Sequence, residues 1–137
     1  MAFFDSSISR FHIDDTADTS HDLSASITDL EGIPGSRSMI EVTSLSDDGR
    51  TYVGGAPHWT IRLAGIFDDS SDAVLAQLLS HPSAVEFSYA PAGTSTGSVK
   101  YSGWCWVERY EVSSSAGDRV GFTVTLRVEG TITRGIY

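Results

Sequence analysis

The sequence predicts a mainly β domain carrying a single α-helix. Apolar and polar residues alternate with a period of two through much of the chain, as they do where a strand buries one face. Clusters of Ser, Gly, Asp and Pro punctuate the alternating runs as turns. One stretch, just after Phe67, switches to helical spacing.

The clearest run is Val120, Phe122, Val124, Leu126 and Val128, with Gly121, Thr123, Thr125 and Arg127 between them. This strand is expected to reach about Gly130. Before it, Val99–Ser113 reads as another long extended segment. Tyr101, Gly103, Cys105 and Val107 fall on one face, and Trp104, Trp106 and Tyr110 on the other. Large groups on both faces predict a strand covered on both sides. Residues 113–118 (SSSAGD) supply the turn of a hairpin joining the two. Shorter strands are expected at Trp59–Phe67, with Ile61, Leu63 and Phe67 aligned, and at Val85–Tyr89, with Val85, Phe87 and Tyr89 aligned. Arg37–Thr43 and Ile8–Ile13 complete the set.

The helix opens at Asp68-Asp69-Ser70-Ser71-Asp72. Side chains of these types cap free N–H groups, and their charge complements the helix dipole. Val74, Leu75, Leu78 and Leu79 follow as an apolar stripe for the sheet, and Pro82 stops the helix. Two stretches break the pattern. Residues 14–36 are rich in Asp, Ser, Thr and Gly without sustained periodicity, and residues 44–56 (SLSDDGRTYVGGA) read as a loop. Structureless loops beyond ~12 residues are uncommon in compact domains unless functional. Asp47, Asp48, Arg50 and Tyr52 mix charge with an aromatic ring, which suits a contact that orders on binding, so this loop is expected to join subunits.

The 137 residues fit one domain, 1–137. With Cys105 the single cysteine, the fold is expected to hold without a disulfide. The N-terminus does not read as a secretory signal, and no segment approaches the ~20 apolar residues of a membrane span. A soluble protein with no membrane partner is expected. Eighteen acidic residues against nine basic ones give a net charge of −9. So acidic a chain is a poor ligand for a phosphate backbone, although it can face DNA as a repulsive wall.

Catalytic signatures are missing. His12, His21, His58 and His81 are scattered, and one cysteine builds no Cys-rich zinc site. The sequence contains no GxSxG elbow, no phosphate loop and no GxGxxG after a strand. Cys105, between Trp104 and Trp106, reads as a buried structural thiol. The Asp14-Asp15, Asp47-Asp48 and Asp68-Asp69 clusters do not have calcium-loop spacing. No enzyme activity, metal or cofactor is expected.

Taken in order, several segments resemble the major tail protein, or tail tube protein, of long-tailed bacteriophages. They are FHIDD (Phe11–Asp15), the stretch Asp22–Gly55, WTIRLAGIFDDSSDAVLAQLL (Trp59–Leu79), FSYAPAG (Phe87–Gly93), TGSVKYSGWCWVERYEV (Thr96–Val112) and VGFTVTLRVEGTITRG (Val120–Gly135). The resemblance rests on order and spacing over most of the chain. It implies a β-sandwich or partial barrel with one flanking helix. It implies rings, commonly hexameric, stacked into a hollow tube. Inward strands would join edge to edge around the lumen, and the long loop and chain ends would bridge subunits.

The implied partners are further copies of the chain, the tape-measure protein, and tail terminator and distal tail or baseplate proteins. DNA would pass through without specific binding. The implied location is the virion tail, after assembly in the host cytoplasm. On this reading Glu86, Glu108, Asp118 and Glu129 give the lumen a negative field. Phe3, Phe4, Ile136 and Tyr137 are apolar for chain ends and are expected either to dock on neighbours or to tuck back. Two alternatives remain open: the inner tube of a contractile tail or bacterial injection apparatus, and a stand-alone carbohydrate-binding β-sandwich using Trp59, Trp104 and Trp106.

Overall fold

The computed structural model describes residues 5–46 and 48–137, so Phe3, Phe4 and Asp47 lie outside the described residues. In chain order the strands are β1 (Arg10–Asp14), β2 (Ser20–Asp22), β3 (Ile27–Glu31), β4 (Ser36–Glu41), β5 (Tyr52–His58) and β6 (Thr60–Ile66). Helix α1 (Asp69–Leu78) follows, then β7 (Val85–Ala90), β8 (Val99–Ser113) and β9 (Gly121–Ile136).

Seven strands form one antiparallel sheet in the order β2-β1-β7-β8-β9-β6-β3. Its two outermost strands are consecutive in the chain, so the sheet curls toward itself. The bend from Leu23 to Ser26 ties the ends together. Leu23 N–H donates to Phe11 O at 3.0 Å, and Ile66 N–H donates to Ser26 O at 2.8 Å. The result is the partial barrel that the resemblance implied, with α1 packed against β8.

The core is the inward set of the alternating strands: Phe11 and Ile13, Ile61 and Leu63, Val85 and Phe87, Cys105 and Val107, and Phe122, Val124 and Leu126. Helix α1 adds Val74, Leu75 and Leu78. Full burial of a side chain such as Leu75 or Leu126 contributes about 1.5–3 kcal/mol relative to exposure. Asp68 caps the helix by accepting from Ser71 N–H, as expected from its sequence. Leu79 departs from expectation. It is the C-cap and is exposed, because the helix ends one residue earlier.

Several other expectations need correction, each for a local reason. The segment 14–36 holds two strands. β2 is too short to show alternation, and in β3 a bulge near Thr28 lets Ile27 and Leu30, three apart, both pack against the core. The segment 44–56 holds the start of β5, which pairs with β4. In β8 a bulge at Glu108 shifts the register, so Tyr110 turns inward to meet the Phe122 ring. Trp104 and Trp106 remain outside and substantially exposed, so β8 is not covered on both faces in the single chain. β9 continues past Gly130, where a second irregularity with positive φ interrupts the register, and pairing with β8 resumes at Thr133. Finally, β1 begins at Arg10, behind a short 3-10 turn at Ser6–Ile8 that Asp5 caps.

Candidate functional site

Two features project chemistry outward: a detached hairpin and a pair of unpaired strand edges. The hairpin is the two-stranded sheet β4–β5. It joins the body through Gly35 and Trp59. Gly35 has φ +130°, a conformation that side-chain-bearing residues rarely adopt, and the Trp59 ring occupies the space where its Cβ would stand. Trp59 O in turn accepts from Val128 N–H at 3.3 Å, fixing the hairpin base to β9.

Outside this base the hairpin is exposed. Met39, Ile40, Val42, Tyr52 and Val53 are each about half exposed, and Leu45 at the tip is entirely so. Of the predicted contact residues, Asp48 and Arg50 stand in the connecting loop and Tyr52 opens β5. Arg50 Nε lies 4.0 Å from Glu41 Oε1, an exposed pair of little energetic weight. Reading the stretch as a loop missed the apolar residues of β4 as part of the surface. The available signal was the run Met39-Ile40-Glu41-Val42, in which apolar residues occupy both strand faces.

The second feature lies in the long β8–β9 hairpin. β7 covers β8 only over Tyr101–Cys105, and β6 covers β9 only over Gly121–Arg127. Beyond these limits no described strand pairs with the outer edge of β8 from Trp106 to Ser113, or with that of β9 from Glu129 to Ile136. The two free edges face opposite sides of the hairpin and lie at opposite ends of it. Unpaired edge N–H and C=O groups are templates for another chain.

The predicted acidic residues fall in three different settings. Glu86 and Glu129 stand opposite Trp104 from either side, Glu86 on β7 and Glu129 on β9. Asp14 on β1 extends this row, whereas the sequence marks it only as half of an acidic pair weighed for calcium. Partial burial raises the Asp14 pKa from the ordinary carboxylate value, and the Glu86 charge raises it further. Glu108, at the bulge, is joined to Arg127 by two hydrogen bonds of 3.3 and 3.1 Å. Asp118 sits in the β8–β9 turn. The other arginines of the outer face also have carboxylate neighbours: Arg62 is near Glu31 at 3.8 Å and Arg109 near Glu111 at 3.5 Å. Asp14, Glu86 and Glu129 form no ion pair among the described residues.

At the C-terminal end, Ile136 is exposed, whereas Tyr137 folds back. Tyr137 N–H donates to Ser98 O at 3.0 Å, and its ring lies under Lys100 Nζ at 5.1 Å.

Cys105 and the His21–Asp15 pair are engaged in packing and in a turn. The Cys105 thiol is fully buried, and desolvation pushes its pKa up to about 12. His21 Nε2 and Asp15 Oδ2 are 2.8 Å apart, and this bond pulls the Asp15 pKa down while tying β2 to the turn before it. A shallow groove between β1 and β3 is lined by Phe11, Ile27, Leu30 and Tyr89 with polar neighbours, among them Ser9 and Arg10. Among the described residues no group of three or more His, Cys, Asp or Glu side chains is placed to hold a metal, and no helix is long and apolar enough to cross a membrane.

Comparison with known proteins identifies the family and the fold. Residues 28–134 match the family described as phage tail tube protein. No curated protein matches the sequence. Among solved structures, the chain is similar to the tail of an empty gene transfer agent particle of C6 symmetry. The TM-score there is 0.79 at 16% identity, with 97% of this chain and 99% of that one covered. It is similar to the SPP1 tail tube at TM-score 0.77 and 12% identity, with 98% and 80% covered. It is also similar to a chain of the sheath–tube complex of the PVC extracellular contractile injection system, at TM-score 0.63 and 13% identity, with 94% and 88% covered. These identities establish shared fold, and the match over residues 28–134 establishes the family: the chain belongs to the phage tail tube proteins and is a structural protein of the tail tube.

Proposed function

We propose that residues 1–137 act as one tail tube domain that closes into hexameric rings and stacks them into the conduit for DNA. The observation that carries this reading is the pair of free edges on the β8–β9 hairpin. In a ring, the open β8 edge of one copy (Trp106–Ser113) meets the open β9 edge of the next (Glu129–Ile136). β8 and β9 are antiparallel, so each new junction continues the antiparallel order. The free edges are offset along the hairpin, and pairing them staggers the strands as barrel closure requires. A head-to-tail contact of this kind forms a ring when its rotation closes, and repeating ring faces then build a stack.

On this reading the β4–β5 hairpin, with Asp47, Asp48, Arg50 and Tyr52, bridges to neighbouring copies. Phe3, Phe4 and Ile136 add terminal contacts, while Tyr137 serves its own subunit. The acidic outer row supplies a lumen that repels the DNA backbone. Glu86 and Glu129 contribute most, because Glu108 is offset by Arg127. The remaining partners are the tape-measure protein inside the tube and the terminator and distal tail proteins at its ends. The protein works without enzymatic activity, in the virion tail, after assembly in the host cytoplasm. The likeness to a PVC contractile system keeps one second reading, an inner tube within a sheath.

Negative-stain electron microscopy of the full chain, mixed with the tail-tip complex that initiates polymerisation, tests the proposal. Hollow tubes of uniform width are expected. A proline at the exposed Val112 or Thr131, within the free edges, should leave a folded monomer that adds to no tube. Tubes of wild-type length from both proline variants would overturn edge pairing.

A further inference from the structure

We infer that the β4–β5 hairpin is gripped on both of its faces, each by a different copy of the chain. This rests on the tail tube reading and adds the number of partners that each hairpin engages.

The register assigns the faces. Ile40 stands opposite Val53, and Val42, whose N–H donates to Thr51 O, lies two residues along on the same face. Glu41 stands opposite Tyr52 and Met39 opposite Gly54, so Met39 and Tyr52 share the other face. A hairpin that lies on one surface needs one apolar face and keeps the other polar. This hairpin has large apolar groups on both, and its own body covers neither: Met39 is 57% exposed and Ile40 56%. Of its two strands only β5 approaches the body closely, against β9.

The charge pattern identifies what covers these faces. With a net charge of −9, most of the chain repels its own copies. The hairpin is nearly balanced, with Arg37 and Arg50 against Glu41, Asp47 and Asp48. The Arg37 side chain lies along Gly54 and has no carboxylate partner among the described residues. A near-neutral hairpin with an unpaired guanidinium complements another copy of this acidic chain. Because two copies must be in place to cover both faces, the hairpin engages fully at a growing ring and only partly between free chains. Slow nucleation followed by fast growth is the consequence.

The test is photocrosslinking with a trace of variant chain in a large excess of unmodified chain, polymerised into tubes. A benzophenone amino acid is placed at Met39, at Ile40, or at both. Each single variant is expected to give a crosslinked dimer, with target peptides from two different surfaces, and the double variant a trimer. A double variant that stops at dimer, or single variants that map to one surface, would overturn the inference. Tubes that form without crosslinks from either site would overturn both the inference and the hairpin's bridging role, while leaving edge pairing intact. Failure of unmodified chain to form tubes would sink the tube reading itself. Polar variants give a second readout. Ile40→Ser with Val53→Ser, and Met39→Ser with Tyr52→Ser, should each cut incorporation at least about tenfold with the monomer's melting temperature unchanged. Wild-type incorporation of either would also overturn the two-faced grip.

Discussion

The Trp59 ring fills the place of a side chain at residue 35: a Cβ on Gly35 would stand 1.8 Å from both Cδ1 and Nε1 of the indole. The exposed hairpin leaves the body at this contact, so its direction depends on it. Gly35→Ala must displace the indole, and it also places a side chain at φ +130°. The expected cost is about 1–3 kcal/mol in a denaturant titration. Tube assembly should suffer more than stability, because a swung hairpin misses its neighbours. Trp59→Ala should impair assembly similarly, because it removes the ring that seats the hairpin base at Gly35. A Gly35→Ala chain that polymerises like wild type would show that the hairpin's exit angle is not set here.

The bulge at Glu108 brings Tyr110 to the helix, where its hydroxyl donates to Asp72 Oδ1 at 2.7 Å. This is the side-chain hydrogen bond from α1 to the long hairpin. Tyr110→Phe keeps the ring contact with Phe122 and removes the bond, so about 1 kcal/mol should be lost in urea unfolding. The same environment raises the phenol's pKa, first by burial and then through the hydrogen bond to Asp72. Wild type should therefore resist phenolate formation, followed by ultraviolet absorbance, well above the pH at which the unfolded chain's tyrosines ionise. A Tyr110 that titrates with the exposed tyrosines would contradict the placement.

Cys105 gives a stability prediction with a definite sign. Burial raises its pKa from 9.0 to about 12. The folded state therefore holds its proton while the unfolded chain loses it, and stability is intact below pH 9 and falls as pH rises toward 12. The loss approaches about 4 kcal/mol at the upper end, before other groups are counted. Cys105→Ala leaves a small cavity and lowers stability at neutral pH by about 1 kcal/mol. Its decline from pH 9 to 12 should nevertheless be shallower than that of wild type. Parallel pH profiles for the two proteins would show that the thiol is not the group responsible.

Strands with strict alternation were legible from sequence: β6, β7 and the first part of β9 stand where the pattern put them, as does the capped helix. Legibility failed where backbone irregularity breaks the period. The bulge near Thr28 hid β3, that at Glu108 put Tyr110 on the wrong face, and the irregularity at Gly130 cut β9 short. β4 overlaps the strand expected at Arg37–Thr43, whereas β5 failed for a different reason, its Gly54 and Gly55 reading as part of a loop. Apolar residues of the β4–β5 hairpin lie on both of its faces, so no one-sided alternation marks it. The acidic surface was partly legible. Glu86 and Glu129 could be assigned to strands, but their alignment across Trp104 with Asp14 beyond needs the sheet register.

That alignment supplies the last prediction. Glu86 and Glu129 flank Trp104 on the outer face, and neither forms an ion pair among the described residues. If this face lines the channel, lysine at both sites converts a repulsive wall into one that binds phosphates and exchanges counterions with DNA. Both positions are exposed, so the folded subunit and the tube should persist, with stability changed by no more than about 0.5 kcal/mol. Particles carrying Glu86→Lys and Glu129→Lys should eject DNA several-fold more slowly at low ionic strength, and added salt should restore the rate, because it screens the new charges. Glu108→Lys places a new cation beside Arg127, and its effect should be smaller on ejection than on local stability. Normal ejection at low salt by the double variant, in tails of normal length, would assign this face to the exterior and leave the channel lining to another part of the sheet.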